Sequence, residues 1–557
     1  MSVTVLSLRA QFFYWAWQLV LNSHVFKEND LTSPRFSSEL KEIFCEKDIY
    51  YPQSVEEVKQ IILFATKNSH LVRTVGSGHS PSASIYGEEE NVIKICLDGD
   101  LRKIHSFEVN ESKTEGLVTV GAGCYLGINP KDRSSTLDNS FNKQIDDRGF
   151  ALPILGTISH QTVAGCIQTS TSGGSNQHGL ADVIHAFEWV NGLGEICYAE
   201  KGEANFNAVG VSMGLLGVIT HITFKLPQKF FVQGVEVNHN MNDSFLAKDS
   251  KGNFSKLSKT LFEEQEYARL SWFPQKYVQR VNEWTGRSTS PDAKEIPYHH
   301  PLEPYTYSVL AAGALIIGNQ LATIGTELAQ RLLGILIRPF VMLGDGQEYC
   351  DVWYKTLPND DQAHFDHLIS LSFSEFWFPR ERINDVMHTI EELVAANPEA
   401  AGNFVVEIYS AKASPFLLSP AEGRDVFRVD LCWYNHNRCG DANRYFGFFW
   451  EKLLMIPGAR LHWGKYLPNI GEKYGEFEFK PEILQNNYPK LSEWLQIRKK
   501  MDPKNIFVTD YWDRYLGITQ SLEMKSSLAD VRGTMFTKDE VNLGKISPFD
   551  FVRRPSL

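Results

Sequence analysis

A glycine-rich loop that contains a histidine constrains what this chain can fold into. The sequence "VGSGHSPS" (75–82) follows an apolar segment, as phosphate-binding loops do. It lacks the lysine of a Walker A loop, which disfavours ATP. A Rossmann fingerprint needs a third glycine that opens a helix, but Pro81 stands there and favours extended backbone at Ser80. We expect the segment to stay a loop, either an anion nest or an ordinary turn with a surface histidine.

A second stretch, "LGTISHQTVAGCIQTSTSGGSNQHGLADVI" (155–184), is rich in glycine, serine and threonine. These residues offer backbone amides and short side-chain donors that approach a polyanion closely without carrying charge. Further along, "SMGLLGVI" (212–219) places two glycines before a Val/Ile strand. Two donor-rich segments far apart in the chain, neither with a Walker lysine, suit an extended dinucleotide clasped between two lobes.

Length and charge narrow the classes of fold and partner. A chain of 557 residues is too long for one core, so we expect two or three domains. A formal net charge of −12, with no Lys/Arg cluster beyond short pairs, argues against a nucleic-acid surface. The eight cysteines include no CxxC, and no histidine pair has zinc spacing. We therefore expect mostly buried free thiols in a reducing compartment and no metal site.

Two apolar stretches raise the question of a membrane. The amino-terminal residues lack a basic start and a small-residue cleavage site, and Arg9 and Gln11 interrupt them, so we expect no signal peptide. Residues 308–326 run without a charge, diluted by Asn319 and Gln320. Three interpretations stay open for them: a buried helix, which we favour, a peripheral membrane contact, or a span. We expect a cytoplasmic or peripherally membrane-associated protein.

The pattern of predicted secondary structure changes near residue 228. Before it, strands alternate with turns and single helices, among them a helix over 54–70 with Ser54 and Glu57 in a capping box. After it come alternating apolar segments, an apolar helical stretch at 301–345 and a strand that runs into a helix over 364–393. The tail after about Gly517 is polar, and we expect it to wrap loosely.

Taken together, these motifs resemble a known family. "RTVGSGHSPS", "GTISHQTVAGCIQTSTSGG" and "SMGLLGVI" look like the FAD-binding (PCMH-type) domain of the vanillyl-alcohol-oxidase flavoprotein superfamily. "RLHWGK" (460–465) and "YPKLSEWLQIRKKMDPKNIFVTDY" (488–511) resemble the carboxy-terminal part of the sugar-lactone and alditol oxidases. "SEFWFP" (374–379) matches the strand that opens that group's cap half, and "FFYWAW" (12–17) looks like its amino-terminal strand. The resemblance covers roughly residues 10–517.

The resemblance implies an α+β fold, with a two-lobed PCMH-type FAD-binding domain and an α/β cap (substrate) domain that contains a large antiparallel sheet. We expect four parts. They are a FAD-binding domain of two α+β subdomains at 1–228, a cap domain at 229–459 with the apolar helical insertion at about 301–345, a segment at 460–517 that returns to the FAD/substrate interface, and the polar tail at 518–557.

In that group the histidine of the glycine-rich loop is bonded covalently to the 8α carbon of the flavin, which implies such a bond at His79. A neutral imidazole can add to an electrophilic flavin, and flanking glycines let the backbone approach the cofactor. No cysteine stands at the second covalent position of berberine-bridge-type relatives, so we expect one linkage. The family's Thr-His-Gly reads Thr-Ser-Gly at 171–173. The implied FAD contacts are Arg73, Val75, Gly76, Ser77, Gly78, His79, Ser80, Gly156, Thr157, Thr162, Gly165, Thr169, Ser170, Thr171, Ser172 and Ile219.

The substrate side departs from the family pattern. The family's Glu-x-Arg pair reads Glu407-Ile408-Tyr409, and the next strand, with His-x-Thr-Trp in alditol oxidases, reads "DLCW" (430–433). Losing the arginine removes a multi-donor cation suited to a polyhydroxylated ligand. Phenol and carboxylate can still act as base and orienter. The expected catalytic residues are Tyr409, Asp430, Lys465 and Glu407. The expected substrate contacts are Glu407, Tyr409, Cys432, His462 and Lys465.

We therefore expect an FAD-dependent oxidase that takes hydride from an alcohol-type or activated C–H of a small substrate and reduces O2 to H2O2. Gly156 stands where a related plant dehydrogenase has an alanine thought to block oxygen, which favours an oxidase. Tyr409 and Cys432 suggest a substrate less polar than an alditol, as in specialised metabolism. Three alternatives stay open: an aldonolactone or alditol oxidase, a membrane-associated FAD dehydrogenase with a protein electron acceptor, and a flavin-binding protein without turnover.

Overall fold

The structure is a computed structural model. It describes residues 40, 43–46, 48–300, 309–314, 317–318, 321, 326–342, 346–358, 361, 371–397, 402, 405–435 and 442–518. The sequence expectations for residues 12–17 and for the tail at 519–557 lie outside the described residues.

The first lobe is a small sheet with a helix against it. Its strand order is β1-β2-β4-β3, with a parallel pair between β3 and β4. The strands are β1 Cys45–Glu46, β2 Ile49–Tyr50, β3 Leu71–Thr74 and β4 Val92–Ile95. Helix α1 (Val55–Asn68) begins at Ser54, whose hydroxyl accepts from the Glu57 amide, and ends at Ser69 in the left-handed conformation. It buries an apolar face against β3, as its sequence predicts.

The second lobe is a five-stranded antiparallel sheet of order β5-β6-β9-β7-β8. Its strands are β5 Ile104–Val109, β6 Glu115–Gly121, β7 Ile184–Val190, β8 Ile196–Glu200 and β9 Val218–Pro227. The segments that connect its strands carry short helices. These are α3 Phe141–Asp146, α4 Val163–Gln168, α5 Leu180–Val183 and α6 Ala204–Val209, whereas α2 (Ser82–Tyr86) connects β3 to β4 in the first lobe.

The cap is an eight-stranded antiparallel sheet of order β13-β10-β12-β11-β15-β16-β14-β17. Its strands are β10 Phe231–Asn240, β11 Tyr267–Phe273, β12 Arg280–Thr289, β13 Gln347–Val352, β14 Leu371–Pro379, β15 Val406–Ala411, β16 Val426–Tyr434 and β17 Arg460–Leu461. β9 ends at Pro227 and β10, in the other sheet, begins at Phe231, so we retain residue 228 as our proposed domain boundary.

Strand alternation gives the cap sheet two different faces. On β14, Ser374, Phe376 and Phe378 point to the same side, where Trp450 of a covering helix donates to Ser374 Oγ at 2.8 Å. Glu375 points to the opposite side, where its partner Arg428 also donates to the carbonyls of residues 172 and 173 in the FAD-binding part. The remaining helices are α7 Ser255–Lys259, α8 Glu327–Met342, α9 Trp353–Thr356, α10 Ile383–Ala396, α11 Ala442–Leu453, α12 Pro481–Asn487, α13 Leu491–Met501 and α14 Asp510–Leu516.

The carboxy-terminal segment packs against the first lobe. The Val72 amide of β3 donates to the Ile506 carbonyl at 2.7 Å, and Trp512 of α14 donates through Nε1 to the Ser84 carbonyl at 2.9 Å. A short two-stranded sheet, β18 Lys473–Tyr474 and β19 Phe477–Glu478, completes this region. Residues far apart in the sequence therefore pack together beside the first lobe.

Two local expectations can be compared with the structure. Residues 75–81 form a loop, as expected, and the short helix α2 begins directly after Pro81 at Ser82. In the 308–326 stretch, the described residues 309–314 are helical, but the longer helix, α8, begins only at Glu327, beyond the uncharged run. Within the described ranges, no helix is both long and apolar enough to cross a membrane.

Candidate active site

A cleft of about 1000 Å³, counting the open solvent at its mouth, lies between the two lobes. Eleven of the sixteen residues expected to contact FAD line it, and they come from both donor-rich segments and from β9. They are Arg73, Val75, Gly76, Ser77, Gly78, His79, Ser80, Thr162, Gly165, Thr169 and Ile219. Residues that sequence reasoning did not select also line it, including Gln161, Gln168, Met213, Trp463 and Trp512.

Polar groups in this cleft suit an elongated polar cofactor. Ser77 Oγ and Gln161 Oε1 are buried, and neither atom has a hydrogen-bond partner among the residues that the structure describes. Gly78 has φ +72°, a left-handed conformation that a glycine adopts without strain. Buried polar atoms without partners cost free energy, so a ligand that bonds to them is stabilising. The residues present therefore fit FAD.

Arg73 lines the cleft and also stabilises the backbone around it. Its guanidinium donates to the carbonyls of Ile85, Phe507, Ser84 and Met213, at 2.9 to 3.2 Å. Burial lowers the pKa of Arg73 to about 10. These bonds join the first lobe to the carboxy-terminal segment, so Arg73 holds the shape of the cleft as well as lining it.

Five of the expected FAD contacts do not line the cleft. They are Gly156, Thr157, Ser170, Thr171 and Ser172. Thr171 Oγ1 accepts from Gln161 Nε2 at 3.2 Å, and Ser170 Oγ lies 2.9 Å from Ser419 Oγ. The carbonyls of residues 172 and 173 accept hydrogen bonds from Arg428 of the cap sheet, so this stretch contacts the cap and does not line the cleft. Their roles stay predictions.

A second imidazole, which the sequence did not single out, lies beside His79. The ring centroids of His79 and His160 are 6.0 Å apart, and His160 Nε2 lies 2.7 Å from Asp361 Oδ1. Asp361 also accepts from the Ser159 amide at 2.8 Å. Burial raises the pKa of Asp361, but the His160 and Ser159 donors outweigh it and lower that pKa, which keeps the carboxylate ionised.

The residues expected at the substrate side come together on the polar face of the cap sheet. Register places Glu407 of β15 opposite Asp430 of β16, and Asp430 opposite Glu375 of β14. Tyr409, two residues along β15, donates its phenol hydrogen to Glu407 Oε2. Lys465 Nζ lies 3.5 Å from Asp430 Oδ2 and 3.9 Å from the centre of the Phe373 ring. Three carboxyl groups, a phenol and an ammonium thus occupy adjacent positions.

Burial shifts the pKa values of the groups in this cluster by different amounts and in different directions. It raises the pKa of Asp430 well above the usual range, although the Lys465 charge opposes this. It also raises the pKa of Glu407, against the hydrogen bond from Tyr409. For Glu375 burial is outweighed by the Arg428 charge, so that pKa is lowered. Burial lowers the pKa of His462 to about 4, so this imidazole is neutral at pH 7.

The "HWGK" loop connects this cluster to the FAD cleft. A Cβ at Gly464 would meet Ser80 Oγ at 3.0 Å and Thr169 Cβ at 3.1 Å, so the loop packs tightly against both donor-rich segments of the cleft. Trp463 lines the cleft and donates to the Leu418 carbonyl at 2.7 Å. Lys465 follows directly and reaches Asp430. The predicted catalytic residues therefore lie beside the His79 end of the cleft.

Arg428 is a further residue that the sequence did not reveal. It lies directly opposite Tyr409, with its guanidinium carbon 4.9 Å from the Tyr409 ring centre and 4.4 Å from that of Trp377. It donates to Glu375 at 2.7 Å and to the carbonyls of residues 172 and 173 at 3.1 and 3.0 Å. Its donors are therefore used to join the cap to the FAD-binding part.

Comparisons with known proteins agree with this geometry. A family model described as D-arabinono-1,4-lactone oxidase matches residues 247–515, and one described as FAD binding domain matches residues 47–199. A D-arabinono-1,4-lactone oxidase of Candida glabrata is 30% identical over 85% of this chain and 95% of its own length. The chain belongs to the D-arabinono-1,4-lactone oxidase family. An L-gulonolactone oxidase of Bos taurus is 24% identical over 84% of this chain and 95% of its own.

Solved structures support the same fold. A solvent-stable cholesterol oxidase has a TM-score of 0.64 at 14% identity, covering 84% of this chain and 95% of its own. A cholesterol oxidase from Brevibacterium sterolicum has a TM-score of 0.62 at 14% identity, covering 88% of this chain and all of its own. The expected α+β, PCMH-type architecture is confirmed. As a member of this family the chain is an FAD-dependent oxidoreductase that acts on CH–OH donors with oxygen as acceptor.

Across the part of the chain that the structure describes, no three histidine, cysteine or acidic side chains are grouped so as to hold a metal ion. The seven cysteines in that part are free thiols, and five of them are buried.

Proposed function

We propose that this chain oxidises a hydroxyl-bearing ring carbon of an aldonolactone, using FAD held in the cleft by a covalent bond to His79. The observation that carries the proposal is the convergence of Glu407, Tyr409, Asp430 and Lys465 beside the His79 end of the cleft. The curated relatives that match nearly the whole chain are named as lactone oxidases, which supports this substrate class.

The chemistry divides between cofactor and protein. Bound FAD supplies the acceptor for the hydride of the substrate carbon and returns its two electrons to O2, which becomes H2O2. The hydroxyl proton leaves through side chains of this chain. The Tyr409 oxygen accepts this proton while the phenol hydrogen moves to the carboxylate of Glu407. The raised pKa of Glu407 makes it a stronger base than an ordinary carboxylate. Lys465 stabilises the developing negative charge on the substrate oxygen, and Asp430 orients the ammonium.

A less polar alcohol is the second candidate substrate. Arg428 does not replace the missing arginine for the ligand, because Glu375 and two backbone carbonyls use its donors. Phe373 and the buried Cys432 add apolar surface near Lys465. A panel of aldonolactones, alditols and hydrophobic alcohols, measured by H2O2 release from the purified protein, tests both. The highest kcat/KM on a lactone supports the proposal, whereas the highest on a hydrophobic alcohol would overturn it.

The proton relay predicts a particular pH dependence. Glu407 must be ionised to accept the proton, so kcat/KM is lost as pH falls through its raised pKa, tenfold per pH unit below it. His462 stays neutral over that range, because its pKa is about 4. Glu407→Gln is expected to lower kcat by about 100-fold or more and to remove this acid limb. An unchanged acid limb in Glu407→Gln would exclude the relay.

We also propose that the chain contacts a lipid surface through α8. Leu328, Leu332 and Ile335 lie on one face of this helix and are 68%, 41% and 67% exposed, and Leu310 and Ile317 nearby are also exposed. Replacing Leu328 and Ile335 with serine is expected to weaken cosedimentation with phosphatidylcholine/phosphatidylserine vesicles by about 10-fold or more. Ile196→Ser, on the distant exposed strand β8, is the matched control. Equal binding by all three proteins would rule out this contact.

A further inference from the structure

An unusual pair of imidazoles lies outside the FAD cleft, in the five-stranded sheet. His221 Nε2 of β9 and His105 Nε2 of β5 are 3.1 Å apart, although β6 separates their strands. The two rings stand nearly perpendicular, with centroids 4.4 Å apart. The oxidase chemistry uses neither residue.

The backbone brings these side chains together by a local irregularity. The register of β5 against β6 shifts between Ile104 and Ser106, which leaves His105 as the extra residue of a bulge. A bulge bends the strand and re-aims the side chain of that residue. Between the two histidines, Gly121 of β6 lies opposite His221 and has no side chain, and the one-turn 3-10 helix Gly99–Arg102 packs over it.

The other ring nitrogen of His221 is held by a carboxylate. His221 Nδ1 lies 2.8 Å from Glu188 Oε1, which also accepts from Thr220 Oγ1 at 2.7 Å. The carboxylate fixes the tautomer with hydrogen on Nδ1, so Nε2 presents a lone pair towards His105. Metal-binding histidines are oriented by carboxylates in this way.

A third candidate ligand atom lies beside His105 Nε2. The backbone carbonyl oxygen of Asp100, in the 3-10 turn, is 2.9 Å from His105 Nε2. Two nitrogens bound tetrahedrally to Zn²⁺, each at 2.0 to 2.1 Å, are separated by about 3.3 Å. The observed nitrogen–nitrogen distance of 3.1 Å is close to this separation. His105 is exposed and His221 is partly exposed, so an ion reaches them from solvent.

We propose that His105, His221 and the Asp100 carbonyl form a surface site for a borderline divalent cation, Zn²⁺ or Cu²⁺, with water completing the coordination. Imidazole nitrogens select these ions over Mg²⁺ and Ca²⁺, which prefer oxygen ligands. Glu188 is a positioning residue that orients His221. The site is independent of the proposed substrate, because none of its residues contacts the Tyr409–Lys465 cluster.

Calorimetric titration of Zn²⁺ into the flavin-loaded, untagged protein tests this site. One ion per chain is expected to bind, with that binding lost in His105→Ala and in His221→Ala. Glu188→Gln is expected to weaken it by about 10-fold to 100-fold. His239→Ala is the matched control, because His239 Nδ1 also lies 2.8 Å from a carboxylate, that of Glu283, on another strand. It is expected to leave binding unchanged.

Two further readouts separate the site from a simple hydrogen bond. Electron paramagnetic resonance of the Cu²⁺-loaded protein is expected to show two coordinating nitrogens, reduced to one in either alanine variant. The absorbance of bound flavin, measured without metal, checks that each variant is folded. No stoichiometric binding, or binding that persists in both alanine variants, would overturn the proposal and leave a neutral imidazole–imidazole hydrogen bond in its place.

Discussion

Replacing Lys465 with methionine is expected to lower kcat/KM for an aldonolactone by about 100-fold or more, with flavin content unchanged. In the proposed mechanism Lys465, beside Asp430, stabilises the negative charge that develops on the substrate oxygen, and removing one such preorganised donor typically costs about 3 kcal/mol. Methionine keeps most of the length of the side chain and its packing over Phe373. The initial rate of H2O2 release over a range of substrate concentrations measures this loss.

Lys412 provides the matched control. It also pairs with an aspartate, Asp182 at 2.9 Å, but lies just beyond β15 on the surface. Lys412→Met is expected to change kcat/KM less than about twofold, because exposed ion pairs contribute little. If both variants were equally active, Lys465 would not stabilise charge in the reaction.

His79→Ala is expected to convert all of the bound flavin from covalent to dissociable. Acid precipitation of the unaltered protein is expected to leave the yellow colour in the pellet, whereas the variant releases it into the supernatant. The physical reason is that His79 lines the cleft and carries the only imidazole that the family resemblance places at the flavin. Absorbance at the flavin maximum in both fractions gives the covalent share directly.

The control for this variant is a histidine that is not among the residues lining the cleft. His178 lies 2.8 Å from Glu266 Oε1 and is partly buried. His178→Ala is expected to keep the flavin in the pellet. Flavin in the supernatant of the unaltered protein would contradict the covalent bond without contradicting FAD binding itself.

Local signals in the sequence predict much of the fold. Ser54 and Glu57 mark the start of α1, and the residues around His79 are enough to exclude two common nucleotide-binding motifs. Such signals are legible because capping and turn chemistry depends on residues only a few positions apart. The PCMH-type fold itself follows from resemblance, which no periodicity in the chain would have supplied.

The candidate site was only partly predictable, because its remaining members depend on long-range register. Glu375 and Arg428 form an ion pair within the cap sheet although they are 53 positions apart in sequence, and Arg428 also donates to two carbonyls of the FAD-binding part. Asp361, which holds His160, is 202 residues from Ser159. Pairings of this kind depend on the order and register of strands in the sheet. The residue pattern of one strand does not reveal which strand will pair with it.

The expectation of a nonpolar pocket depends on one strand considered in isolation. Tyr409 stands where the family has an arginine, and the structure places Arg428 directly opposite it on the next strand. Because that guanidinium braces the backbone, our proposal assigns Tyr409, Glu407, Asp430 and Lys465 to the ligand. In this proposal the cluster as a whole sets substrate polarity, and the single replacement at 409 does not.

Anaerobic reduction tests the central claim most directly. Mixing the purified flavoprotein with an aldonolactone in a stopped-flow instrument without oxygen is expected to bleach the flavin absorbance at a rate that saturates with substrate. Admission of O2 is then expected to restore the colour faster than the enzyme turns over and to release one H2O2 per flavin. Flavin that stays oxidised with every aldonolactone, or that reoxidises more slowly than turnover, would contradict an aldonolactone oxidase.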